Sequence, residues 1–114
     1  MCRSFRGRHA MTDRLDTLLA MLDAEPDDPF CLYAIGHEYA NRGDDQAAID
    51  YLDRTIEVDP SELYAFFHKA RCQQRVGDVP GAAETLRQGL EHARAASDAK
   101  AVDEMQALLL EMEA

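Results

Sequence analysis

Apolar residues recur at intervals of three and four along most of the chain, and each such stretch stops at proline or glycine. Leu15, Leu18, Leu19 and Leu22 predict a short amphipathic helix from about Thr12 to Ala24. Glu25-Pro26-Asp27-Asp28-Pro29 ends it, with Asp28 placed to cap a second helix and Pro29 in that helix's first turn. The second helix carries Leu32, Ile35 and Tyr39 on one stripe and stops near Arg42-Gly43. Ala47, Ala48, Leu52 and Ile56 mark a third, closed by Asp59-Pro60. Asp59, Pro60 and Glu62 read as a capping-box arrangement for a fourth, which runs to about Val76. Gly77-Asp78 turns the chain into a fifth with Ala82, Leu86 and Leu90, and a sixth runs from about Asp98 through Val102, Met105, Leu108, Leu109 and Met112. No segment alternates with the period of a strand, so the predicted class is all-α with about six antiparallel helices.

Sliding the sequence on itself by 34 residues brings Gly43-Asp44 onto Gly77-Asp78, Ala48 onto Ala82, Leu52 onto Leu86 and Ile56 onto Leu90. The same shift backwards sets Leu52 on Leu18, Ile56 on Leu22 and Pro60 on Pro26. A fixed period built from two helices is the signature of a solenoid, in which each pair has an apolar face that only its neighbour can bury.

At these residues the chain resembles the tetratricopeptide repeat family. Leu32, Ile35, Gly36, Tyr39, Gly43, Ala48, Leu52 and Asp59-Pro60 match one repeat, and Phe66, Ala70, Gly77, Ala82 and Leu86 match the next. The resemblance makes Gly36 and Ala48 the small residues that let paired helices approach. It divides residues 12–114 into one domain: a half-repeat helix at 12–24, repeat 1 at 28–60, repeat 2 at 61–96 and a capping helix at 98–113. The second repeat departs from the pattern at Lys69, Gln73, Gly89 and Arg94, which implies that the array is ending and that its second helix overruns toward the sixth.

Composition narrows the function. The chain has 114 residues, 46% hydrophobic and 30% charged, which fits one globular domain. Its formal charge is −10, and since Arg3, Arg6 and Arg8 are the only charges before Met11, residues 11–114 carry −13. That balance excludes a free-standing binder of nucleic-acid backbone. No apolar run reaches the roughly 20 residues of a membrane helix. Residues 1–11 are basic and lack the apolar stretch of a secretory signal, so they are expected to be a disordered extension, a tag remnant or a mis-assigned start before Met11. Three widely spaced cysteines, Cys2, Cys31 and Cys72, suit a reducing cytoplasm better than a disulfide framework.

Candidate chemistry is sparse. His68 and Cys72 lie one helical turn apart, but neither CxxC nor HxxxH is present, and Cys31 and Cys72 fall where small buried residues suit helix packing. Neither a metal nor any other cofactor is expected. Ser61 and Ser97 stand at helix starts as capping residues, Glu38 and Glu84 read as ordinary helical carboxylates, and Gly43 and Gly77 are single turn glycines, not a phosphate loop. The acidic run Asp23, Glu25, Asp27, Asp28 lacks calcium-loop spacing. The expectation is a non-enzymatic protein.

What remains is a surface. In the resembled family the first helices of successive repeats line a concave groove for an extended peptide or a helix. Carried over, that groove takes Phe30, Tyr33, His37, Ala40 and Asn41 from the first repeat, and Tyr64, Phe67, His68, Arg71, Gln74 and Arg75 from the second. This face contains aromatics, two histidines and two arginines, with no carboxylate, and Arg71 and Arg75 are spaced to hold one in a bidentate fork. The clamp by which chaperone-binding members hold terminal carboxylates is absent, its positions being occupied by Tyr33, His37, His68, Asp98 and Val102. The leading expectation is a scaffold or adaptor module for a protein or peptide partner, acidic in character. The alternative is a self-associating structural module that dimerises through its C-terminal helix, where Val102, Met105, Leu109 and Met112 with Leu108 and Leu110 present more apolar surface than one neighbour covers.

Overall fold

The computed structural model describes residues 14–114, and residues 1–11, with the extension expected there, lie outside them. Among the described residues six helices follow one another: α1 (residues 14–24), α2 (Pro29–Asn41), α3 (Asp45–Val58), α4 (Leu63–Arg75), α5 (Val79–Ala95) and α6 (Ala99–Glu113). No strand occurs among the described residues. Each helix from α2 onward packs mainly on the next, giving an elongated solenoid 51 × 30 × 21 Å across. Among the described residues no helix is long and apolar enough to cross a membrane.

Aspartates start most of these helices. Asp28, Asp44, Asp78 and Asp98 each accept a hydrogen bond from a backbone N–H of the first turn, at 3.0–3.3 Å. Asp44, Asp78 and Asp98 follow residues in the left-handed region, Gly43 (φ 83°), Gly77 (φ 91°) and Ser97 (φ 57°). In all three turns the aspartate N–H bonds back to a carbonyl five residues earlier, so one turn stops a helix and starts the next. This turn separates α5 from α6: α5 is three residues longer than α3, but it does not run into the sixth helix.

The expected capping box at α4 is not formed. Asp59 ends α3, its N–H bonding to the Thr55 carbonyl, and its Oδ1 accepts from the Ser61 N–H (3.1 Å) and hydroxyl (2.6 Å). Glu62 is the N-cap and makes no side-chain cap bond. Asp59 is committed to the turn, and Ser61 serves that turn and not the helix. Ser97 likewise holds the positive-φ position while Asp98 does the capping.

The core runs in three linked clusters. Leu15 and Leu22 pack with Cys31, Leu32 and Ile35; Ala48 and Leu52 with Ala65 and Cys72; and Phe66, Leu86, Leu90, Met105 and Leu108 form the largest. Gly36 faces Leu52, where an added Cβ would lie 2.9 Å from Leu52 Cγ, so the small residue does set the α2–α3 approach. Gly89 does the same for α5 against Phe66 and Met105. Cys31 and Cys72 are buried free thiols within this packing.

Two departures from the repeat pattern have polar partners. Lys69 Nζ lies 2.5 Å from Asp53 Oδ1, and Gln73 Oε1 accepts from the hydroxyl of buried Thr85 at 2.7 Å. The C-terminal helix turns most of its apolar side chains inward. Met105 and Leu108 are core, and Val102, Leu109 and Met112 pack against it. The expected apolar surplus therefore reduces to Leu110, 68% exposed.

Candidate functional site

Spacings of three and four place Tyr33, His37 and Asn41 along one face of α2, and Tyr64, Phe67, His68, Arg71 and Arg75 along one face of α4. The two faces meet edge to edge. His37 and His68 are the junction, with ring centroids 5.1 Å apart in an edge-on arrangement. Tyr33 lies 6.1 Å from His37 and 6.0 Å from His68, while Phe67 closes on His68 at 5.5 Å and Tyr64 on Phe67 at 6.2 Å. The result is a continuous aromatic wall of five rings. Beside it opens a cavity of about 350 Å³, lined by His37, Ala40, Asn41, Phe67, His68, Arg71 and Arg75.

The structure thus brings together most of the residues carried over by resemblance. Tyr33 and Tyr64 belong to the wall but not to the cavity, and Gln74 is half-buried outside it. Phe30 is 69% exposed and contributes nothing to the cavity.

Polar contacts order the site. Asn41 Nδ2 lies 3.4 Å from His37 Nδ1. The His68 imidazole is held below the usual histidine range, first by burial and then by electrostatic repulsion from His37, Arg71 and Arg75. Its charged form is disfavoured until an anion arrives. Tyr33 is pushed upward, mainly by burial.

The two arginines differ. Arg75 bonds to Asp45 at 3.0 Å, from Nε and Nη2, and its Nη2 also lies 3.4 Å from Cys72 Sγ. It is thus already paired, and the expected two-arginine fork is not available as such. Asp45 begins α3 and Arg75 ends α4, so antiparallel neighbours juxtapose them; that alternation was the signal by which the pair could have been found. The Arg71 guanidinium lies 5.5 Å from the centroid of the Phe67 ring, and no carboxylate among the described residues is within ion-pair distance of it.

The sequence predicts a face with no carboxylate, and here the structure corrects it. Helix α6 borders the far side of α4 and brings Glu104 and Glu111 to a second cavity of about 210 Å³, whose lining includes Phe67, Arg71, Ala107 and Leu108. Tyr64 donates its hydroxyl hydrogen bond to Glu104, which raises the phenol to about 12. No spacing along the chain signals this contact, since the partners are 40 residues apart.

Other candidates are placed elsewhere. Glu38 is ion-paired with Arg14 (3.0 Å) and Arg42 (3.2 Å), and Glu84 lies on another helix beside Arg87 and Gln88. The described residues contain no group of three or more His, Cys, Asp or Glu side chains arranged to hold a metal ion. A further cavity of about 540 Å³ lies between α5 and α6, lined by Arg87, Leu90, Glu91, Arg94, Gln106, Leu109 and Leu110.

Residues 35–107, more than half of the chain, match the tetratricopeptide repeat family. The chain belongs to that family. A TPR repeat-containing protein of Pseudomonas aeruginosa, PA0015, is 28% identical over 99 residues, covering 87% of this chain and 94% of its own. The tetratricopeptide repeat domain protein of Salinibacter ruber superposes with a TM-score of 0.70 at 28% identity, over 75% of this chain and 96% of its own. The TPR2B domain of yeast Sti1, described in complex with pHsp70, superposes with a TM-score of 0.84 at 19% identity, over 97% and 89%. At that identity the likeness is one of fold. The two smaller cavities described above are lined by α2 with α4 and by α4 with α6.

Proposed function

We propose that this tetratricopeptide repeat chain is a non-enzymatic protein-interaction module that takes an acidic peptide or helical segment on the face shared by α2 and α4. The observation that carries this reading is Arg71: a cation on an aromatic ring in the lining of a cavity, with no carboxylate among the described residues within ion-pair distance, in a chain of formal charge −10. Aromatic side chains and arginine are the groups enriched where partners bind most strongly. The Sti1 TPR2B domain, described in its complex with pHsp70, lends support as a partner-binding protein of the same fold. The clamp positions carry Tyr33, His37, His68, Asp98 and Val102 in place of its Lys, Asn and Arg side chains, so the ligand proposed is not the one that clamp holds. A charge-assisted hydrogen bond to Arg71 contributes about 1.5–3 kcal/mol, which is roughly tenfold to a hundredfold in affinity.

Selection of random dodecapeptides displayed on phage, against the full chain and its Arg71→Ala variant, tests the reading. Peptides rich in Asp or Glu should be recovered on the parent and lost on Arg71→Ala, and their affinity should fall as salt is raised. Recovery of the same peptides on both proteins would refute it.

A second reading, self-association through α6, draws on the α5–α6 cavity and on Leu110 beside it. Light scattering at low and high salt tests it. A dimer that strengthens with salt and is lost in Leu110→Asp would support it, and a monomer throughout would end it.

A further inference from the structure

We infer that the groove reads the order of charges along its ligand, taking an acidic group between α2 and α4 and a basic group between α4 and α6. The inference rests on the groove reading proposed above and adds to it the chemistry of the partner, an amphoteric segment and not a uniformly acidic one. Phe67 and Arg71 of α4 form a ridge that lines both cavities. On the α2 side the ridge meets His37 and His68, and Arg75 is neutralised by Asp45. On the α6 side it meets Glu104 and Glu111 above a floor of Ala107 and Leu108.

These opposite charges are close without cancelling. Glu104 accepts the Tyr64 hydroxyl bond, Arg71 lies over Phe67, and neither glutamate is within ion-pair distance of Arg71. A ligand carboxylate entering the α6 side would face two glutamates against one arginine. Entering from the α2 side it meets Arg71 with the two imidazoles and no unpaired carboxylate in the cavity lining. A ligand ammonium or guanidinium has the reverse preference. The charge of the whole chain argues the same way, since −10 repels a purely acidic ligand at a distance and a basic group on that ligand offsets the repulsion.

Helices pack roughly 8–10 Å apart, so the two subsites are separated by about three residues of extended chain, each rising ~3.3 Å, or about two turns of helix. The favoured ligand therefore places its acid and its base about three residues apart if extended, or about seven if helical.

The test uses the peptides recovered by display selection on the full chain, measured by fluorescence anisotropy in four forms: parent, acid replaced by its amide, base replaced by glutamine, and acid and base exchanged. Exchange should weaken binding at least tenfold, and replacing the base should weaken it severalfold. The Glu104→Gln/Glu111→Gln double variant, whose amides still offer the Tyr64 hydroxyl an acceptor, should remove the dependence on the base and keep the dependence on the acid. Equal binding of the exchanged peptide, or a dependence on the base that persists in the double variant, would overturn charge-order reading while leaving the groove intact. Equal binding of the peptide whose acid is amidated, or recovery of no peptide, would instead remove the groove reading on which this one rests.

Discussion

Replacing Gly89 by alanine adds one methyl group where α5 lies against Phe66 of α4 and Met105 of α6. An ideal Cβ there lies 2.7 Å from Phe66 Cβ, 2.9 Å from Met105 Sδ and 3.0 Å from Phe66 Cγ, whereas carbon atoms rest at about 3.5–4.0 Å. Met105 can turn its thioether aside. Phe66 Cβ cannot move without α4, and its ring is stacked on His92 at 5.3 Å. Relief therefore means separating α4 from α5 across the largest core cluster. Overpacking of this kind costs about 1–3 kcal/mol, toward the upper end when the obstructing atom is tied to the backbone. The helix gains about 1 kcal/mol from losing a glycine. The net expectation is a loss of about 1–2 kcal/mol and a melting temperature lower by roughly 4–8 °C per kcal/mol. Urea and thermal unfolding of the full chain, followed by helical circular dichroism, would measure it. Gly36→Ala is the comparison, because its methyl meets Leu52 Cγ and Cδ2 at 2.9–3.0 Å and the Ala48 carbonyl oxygen only at 3.4 Å, so a side chain and no backbone-bound Cβ has to give. Its change should stay within about 0.5 kcal/mol, the propensity gain offsetting the crowding. Gly89→Ala as stable as the parent, or Gly36→Ala equally damaged, would refute the reasoning.

Four further outcomes are expected. Ser97→Gly relieves a φ of 57° and should raise the urea-derived stability by about 0.5–1 kcal/mol. Gln73→Leu deprives the Thr85 hydroxyl of its acceptor and should cost about 1–2 kcal/mol, partly restored by adding Thr85→Val. Burial pushes the Cys72 thiol from 9.0 up to about 11, so the unfolded chain ionises first; stability is intact below pH 9 and falls by about 2–3 kcal/mol toward pH 11, a slope that Cys72→Ala should flatten in alkaline urea titrations. Because His68 is held low in the free protein, a bound carboxylate should draw a proton onto it. Affinity for an acidic peptide should then rise as pH falls through the histidine range, with proton uptake visible by calorimetry in buffers of different ionisation enthalpy.

Local rules carried the fold. The 34-residue period, the aspartates at helix starts and the glycines at 43 and 77 each act over a few residues, and the observed helices follow them. Asp59 is the exception, because a four-residue turn gave its carboxylate a nearer donor in Ser61 than in α4. The α2 and α4 halves of the groove were legible for the same reason, since helical spacing alone aligns His37 with Asn41 and Arg71 with Arg75. What spacing could not give was the third side. Glu104 reaches Tyr64 because α6 borders α4, and Leu109 and Met112 turn inward onto the core cluster that α6 closes with α4 and α5. Gly89 looked like a lapse from the repeat pattern, yet two bulky neighbours from α4 and α6 require it.

The chain of nearest-neighbour packing also has a mechanical meaning. Helix α4 meets α2 and α6 through only a few residues, and the rest of their support is relayed through α3 and α5. Such a molecule is a leaf spring whose curvature is softer than its individual leaves. A ligand lying across all three helices would act as a brace along the inner edge. Slower amide exchange on helices α3 and α5, which line neither of the cavities proposed for the ligand, would then record how far that stiffening travels.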